Sequence, residues 1–131
     1  MRSKIVVDTS VWIEYFKNNK DYVEYIEENL HLDSIYITGP VITELIQGIK
    51  GEKEYLLLSN SIKAIPYLEC TFRDWVTAGE ISFKLRKSGK VIPVTDILIA
   101  VISIKNNAKI LTLDSHFRDI PGVELAPLLK I

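Results

Sequence analysis

Cysteine is almost missing from this chain: Cys70 stands alone among 131 residues. No disulfide can close within the chain, and no zinc cluster can be built on thiolates. A reducing, cytoplasmic setting is the expectation that fits. Long hydrophobic runs are missing too. The longest wholly apolar stretch is Ile97 to Ile102, far short of the roughly 20 residues that a membrane helix needs. The amino terminus has no leader pattern, because charge returns at Glu14 and Lys17. An excess of positive charge is also absent. Sixteen Lys and Arg meet 17 Asp and Glu, for a net charge of −1, so any contact with nucleic acid has to rest on local patches. Gly48 and Gly51 read as helix stops, since no glycine-rich loop with a following Lys is present. Repeats, low-complexity segments and linkers are lacking, which leaves one domain over residues 1–131, long enough to bury a real core.

What is present is organised around Lys4-Ile5-Val6-Val7-Asp8-Thr9-Ser10-Val11-Trp12-Ile13. Ile5, Val6 and Val7 are β-branched and uninterrupted, the pattern of a strand buried on both faces. The run stops at Asp8, followed by Thr9 and Ser10, residue types that start helices. Val11, Trp12, Tyr15 and Phe16 then recur at helical spacing. Beyond the polar turn Lys17–Lys20, helices are predicted over about Asp21–Leu30, from Pro40 to near Gly48 or Gly51, and over Glu52–Ile62. Ile35-Tyr36-Ile37 is a short strand, and Ala64-Ile65-Pro66 at most an edge strand. Thr71-Phe72-Arg73-Asp74 opens a helix as a capping-box variant, with Phe72, Trp75, Val76, Gly79 and Phe83 on one stripe. Pro93-Val94-Thr95-Asp96 opens a helix that is apolar all round and therefore belongs inside. Ile110–Leu113 and Val123–Leu125 are the last strands. Strands alternating with helices argue for an α/β fold, with a mostly parallel sheet covered by helices on both faces.

Four carboxylates fall at the starts of elements. Asp8 and Asp114 follow strands, Asp96 lies in the first turn of the buried helix, and Glu44 lies early in another, flanked by Val41, Ile42, Leu45 and Ile46. In a parallel sheet, strand carboxyl ends and the amino ends of following helices share one edge, where ligands bind. If the strands of Asp8 and Asp114 are neighbours, all four acids face one place. Two like charges about 4 Å apart repel by around 4 kcal/mol at an effective dielectric near 20. Such a cluster takes up protons or binds a cation. Oxygen-only ligands select Mg²⁺ or Mn²⁺, which can activate water for attack on phosphorus. Each acid alone also has a plainer reading. Asp8 would cap a helix, Asp96 would suit its dipole, Asp114 would form a turn and Glu44 would sit in solvent.

Taken together, Val7-Asp8-Thr9-Ser10-Val11-Trp12-Ile13, Thr43-Glu44-Leu45, Thr95-Asp96-Ile97-Leu98-Ile99-Ala100 and Leu111-Thr112-Leu113-Asp114-Ser115-His116-Phe117 resemble, in this order along essentially the whole chain, the PIN-domain nucleases and within them the VapC-type toxins of toxin–antitoxin pairs. The resemblance implies a three-layer α/β/α fold with a five-stranded sheet in the order 3-2-1-4-5. It implies that Asp8, Glu44, Asp96 and Asp114 are the catalytic acids of an endoribonuclease, with Mg²⁺ or Mn²⁺ on Asp8, Asp96 and Asp114. Thr9, Ser10 and Thr112 match hydroxyl positions that steady the site. Homodimerisation and a cognate antitoxin, whose tail enters the active-site groove, are implied as well. One departure stands out. Some relatives carry a further acid just past the fourth, where this chain has His116. Asp119 lies beyond the matched motif, and His116 reads as structural or exposed because all-oxygen sites favour hard donors.

Lys84, Arg86, Lys87 and Lys90 are candidates for crossing an RNA backbone, against the plainer reading of a solvated helix end whose dipole favours cations. Trp12, Phe16, Trp75 and Phe83 read as core or dimer contacts rather than base-stacking platforms. Two rivals differ in class. A metal-dependent phosphatase of another α/β family would want an Asp two residues after Asp8, where Ser10 stands. A non-catalytic RNA- or partner-binding domain would have little use for all four acids.

Overall fold

The computed structural model describes residues 3–127. Four parallel strands form the sheet: β1 (Lys4–Val7), β2 (Ile35–Thr38), β3 (Tyr67–Leu68) and β4 (Ala108–Leu111), in the order β3-β2-β1-β4. Six helices connect them: α1 (Thr9–Phe16), α2 (Lys20–His31), α3 (Gly39–Gln47), α4 (Glu52–Lys63), α5 (Phe72–Lys87) and α6 (Val94–Lys105), with a 3₁₀ turn at Ser115–Asp119. Successive strand residues point to opposite faces. Ile5, Val6 and Val7 are nevertheless all buried, so helices cover both faces of the centre, as the unbroken apolar run requires. β1 and β4 pair over their full length, Lys4 with Ala108 through Val7 with Leu111. The strands that lead to Asp8 and Asp114 are therefore neighbours.

Three expected strands change. The strand expected at Ile110–Leu113 runs from Ala108 to Leu111, and Thr112 and Leu113 belong to the loop that carries Asp114, where the Thr112 hydroxyl turns to Asp8. The edge strand predicted at Ala64-Ile65-Pro66 lies instead at Tyr67–Leu68. α4 runs on to Lys63 with Ala64 as its cap, and Pro66, which has no N–H, only accepts, from Ile37 N at 2.9 Å. The fifth strand, expected at Val123–Leu125, is cut down to a single bridge between Leu125 and Ile110. Pro121-Gly122 turns the chain in, Gly122 at a φ of +89°, and Pro127 cannot extend the ladder. The bridge keeps the expected place beside β4, so the order stands with four strands instead of five.

α6 is buried from Asp96 to Ser103, as its all-round apolarity predicts. α5 packs along it but buries only Asp74, Ala78 and Leu85. Trp75 and Phe83, read as core or dimer contacts, face outward, as do Phe72 and Val76 of the same stripe. Trp12 is fully buried, while Phe16, stacked on it at 5.9 Å between centroids, is half-exposed. The capping box at Thr71 and Asp74 is formed.

Candidate active site

The turn after β1 begins the site. Asp8 N donates to Leu111 O at 2.9 Å, which fixes Asp8 at the edge where β1 and β4 end. Asp8 is the N-cap of α1, yet its side chain makes no capping hydrogen bond. Its Oδ2 accepts from Ser10 Oγ at 2.7 Å and from Thr112 Oγ1 at 2.8 Å. The plain capping reading of Asp8 therefore fails: two hydroxyls hold one oxygen while the other makes no hydrogen bond to a described residue. Thr112 Oγ1 in turn accepts from Asp114 N at 2.9 Å, and Ser10 Oγ accepts from Leu113 N at 3.1 Å. The two matched hydroxyls thus staple the loop after β4 to the loop after β1.

Thr9 Oγ1 donates to Glu44 Oε1 at 2.8 Å, so Glu44 is tethered from α3 to the start of α1 instead of pointing into solvent. Ligand atoms of Asp8, Glu44 and Asp96 lie within 4.8 Å of one another, and so do those of Asp96, Asp114 and His116. Asp96 belongs to both sets. The four acids converge as the sequence implies. Burial, then repulsion from Asp8, Glu44 and Asp114, pushes the Asp96 carboxyl up to about 6, while His116 works in the opposite direction. That crowding is the mark of a site shaped for positive charge. A hard divalent cation fits the donor set, which is carboxylate-rich and partly buried, with hydroxyls behind it.

His116 carries more here than its sequence position suggested. Its Nε2 lies 2.9 Å from Asp114 Oδ1 and 3.6 Å from Asp96 Oδ2. The 3₁₀ turn that brings it back over the site has no strong sequence signal. Asp119 instead pairs at the surface with Lys90, 3.3 Å away, which also engages one of the four expected RNA contacts. Lys87 sits over the ring of Phe83 at 5.2 Å, and Lys84 and Arg86 are exposed at the end of α5.

A groove of about 660 Å³ opens beside the acids. It is lined by residues of α1 to α4, among them Ile13, Phe16, Leu57 and Leu58, and it includes Glu44 in its wall. A smaller pocket of about 320 Å³ has Asp114 in its lining. Among the described residues no helix is long and apolar enough to cross a membrane.

Comparison with known proteins follows the same lines. A family model described as "PIN domain" matches residues 5–123. The chain is similar to ribonuclease VapC3 of Methanocaldococcus jannaschii, 38% identical over 97 residues that cover 74% of this chain and 95% of that protein. It is similar also to ribonuclease VapC11 of Mycobacterium tuberculosis, 25% identical, with 86% and 88% covered. Among solved structures, a DNA-bound VapBC from Salmonella typhimurium superposes with a TM-score of 0.81 at 21% identity, covering 95% of this chain and 97% of that one. VapBC2 from Rickettsia felis does so at 0.76 and 21%, covering 93% and 96%. With the match running from β1 to beyond the 3₁₀ turn, the chain belongs to the PIN-domain family, alongside its VapC ribonucleases.

Proposed function

We propose that the protein is an endoribonuclease that hydrolyses RNA phosphodiester bonds with Mg²⁺ or Mn²⁺, and that it is the toxin of a VapBC-type pair acting in the cytoplasm. The observation that carries this is the convergence of Asp8, Glu44, Asp96 and Asp114 from four separate elements, with the Asp96 carboxyl raised by its neighbours. In this reading residues 1–131 act as one nuclease unit. Asp8, Asp96 and Asp114 would hold the cation. Bound there, it would polarise water and phosphate oxygens and offset the charge of the departing oxygen. The residues around it have separate tasks. Ser10 and Thr112 fix Asp8 through Oδ2 and leave Oδ1 free to ligate. Thr9 sets the angle of Glu44, whose free oxygen orients the attacking water. His116 holds Asp114 in place.

Lys84, Arg86, Lys87 and Lys90 are proposed as RNA backbone contacts, with Lys84 and Arg86 the least engaged. The apolar groove ending at Glu44 suits the tail of an antitoxin, the partner type of the VapBC complexes that share the fold. The outward stripe of α5 suits a second copy of the chain. The test is incubation of the purified protein with total RNA, with and without Mg²⁺, beside Asp8→Ala. Cleavage is expected only from the unaltered chain with the cation. Cleavage that survives EDTA removes the cation from the reading, and no cleavage with any divalent cation removes the nuclease.

A further inference from the structure

The smaller pocket has a composition unlike the rest of the site. Thr112, Asp114, Leu113, Leu125, Pro127 and Arg118 are among the residues that line it, Thr112 buried and Arg118 exposed. The carboxylates cannot themselves attract a polyanion. Arg118 is exposed and makes no ion pair with any other described residue. Both leucines are held by their backbones. Leu113 N donates to Ser10 Oγ, and Leu125 sits in the bridge to Ile110, between Glu124 O and Ala126 N, which bond Ile110 at 2.9 Å each. The walls are thus set before anything binds. At about 320 Å³ the pocket lies at the small end of ligand sites, which run from roughly 300 to 1,000 Å³, so a single ring system fits and a peptide helix does not.

We propose, on the reading that the acids cut RNA, that this pocket is a nucleotide subsite. It takes the base next to the scissile phosphate between Leu113 and Leu125, and Arg118 binds the phosphate that follows. Single-stranded RNA offers unstacked bases with apolar faces for such a slot, and a guanidinium is the natural partner of phosphate oxygens. The subsite sets which nucleotide flanks the cut, while the acids set the chemistry.

Three variants and one titration test it. Arg118→Ala should raise KM about tenfold with kcat within about twofold, and flatten the dependence of log kcat/KM on log salt by about 0.7. Arg118→Lys should restore most of the salt dependence. Leu125→Ser should alter which sites in a mixed-sequence RNA are cut, with the circular dichroism spectrum unchanged. An unchanged KM and salt slope in Arg118→Ala, or an unchanged cut-site pattern in Leu125→Ser, overturns the subsite. In Mg²⁺-free buffer, Leu113 and Leu125 methyl resonances should shift saturably with nucleoside 5′-monophosphates. Those shifts support the subsite even if the chain cuts no RNA, and their absence overturns it even if RNA is cut. An Arg118→Ala effect on inhibition by a partner peptide, without any effect on KM, assigns the pocket to protein binding and overturns it too.

Discussion

Asp96 is the residue on which the site turns. Its carboxyl is raised from an ordinary 3.8 to about 6 by burial and by three neighbouring acids. Between those two values the folded chain holds more protons than the unfolded one, so stability falls as pH rises through that window. The cost at neutral pH without a cation is of order 3 kcal/mol. Denaturant unfolding of the metal-free protein should therefore give greater stability at pH 5 than at pH 7.5, and Asp96→Asn should flatten that slope. Asp74 does not disturb this window. Burial opposes its charge, but hydrogen bonds from Lys105 and Thr71 hold its pKa below the usual carboxylate value, so its contribution is lost only in more acidic solution. Proton and cation compete for the same oxygens. Calorimetry with Mn²⁺ should show affinity falling up to about tenfold per pH unit below about 6. Thr112 works through others, donating to Asp8 and accepting from Asp114 N. Thr112→Val strands both partners. It should cost about 1–3 kcal/mol in denaturant unfolding and cut RNA cleavage by at least about tenfold, while Thr112→Ser keeps most of both.

α5 is the element whose sequence and structure diverge most. Its aromatic stripe has the spacing of a core face, yet the buried side of the helix is Asp74, Ala78 and Leu85. The reason is the ion pair that buried Asp74 makes with the partly exposed Lys105 of α6. The ion pair ties the Asp74 side of α5 to α6, and Phe72, Trp75, Val76 and Phe83 face outward. Helical periodicity locates an apolar face but not the surface that covers it. An exposed apolar stripe of this kind is what the proposed contact with a second copy would cover. On the proposal that this stripe meets a second copy of the chain, Trp75→Lys should leave folding intact and give a monomer in light scattering where the unaltered chain gives a dimer. Lys105→Met should cost about 2 kcal/mol in thermal or denaturant unfolding, because it leaves Asp74 charged and buried without its cation, a penalty reduced by the partial exposure of Lys105. Elsewhere the elements were legible where one local rule sufficed: β-branched runs for β1, Pro40 for the start of α3, Thr71 and Asp74 for the start of α5. The bridge at Leu125 and the shifted β3 were less legible, because proline chemistry limits a ladder only once the neighbouring strand is known.

At the scale of the whole molecule, the α/β topology and the meeting of the four acids could be read before any coordinates. Parallel strands deliver their ends to one edge, and the motifs stand at those ends in order. The place of His116 could not be read, because a 3₁₀ turn after Asp114 brings it back by a route that periodicity does not encode. Nor could the groove, which gathers side chains of four helices. Leu57 lines that groove and is exposed. If an antitoxin tail fills this groove as proposed, Leu57→Glu should weaken its binding at least about tenfold by calorimetry and change RNA cleavage far less, since Leu57 takes no part in the hydroxyl and carboxylate contacts.

Glu44 has a double membership: it is tied to Thr9 within the acidic cluster, and it also forms part of the groove wall. If, as proposed, an antitoxin tail fills the groove and the acids cut RNA, a variant that resists its inhibitor by altering Glu44 would damage the cutting machinery in the same step. On that reading escape at Glu44 would be self-limiting, and evolution of the pair would be steered toward the outer rim of the groove, where recognition could drift while hydrolysis is preserved.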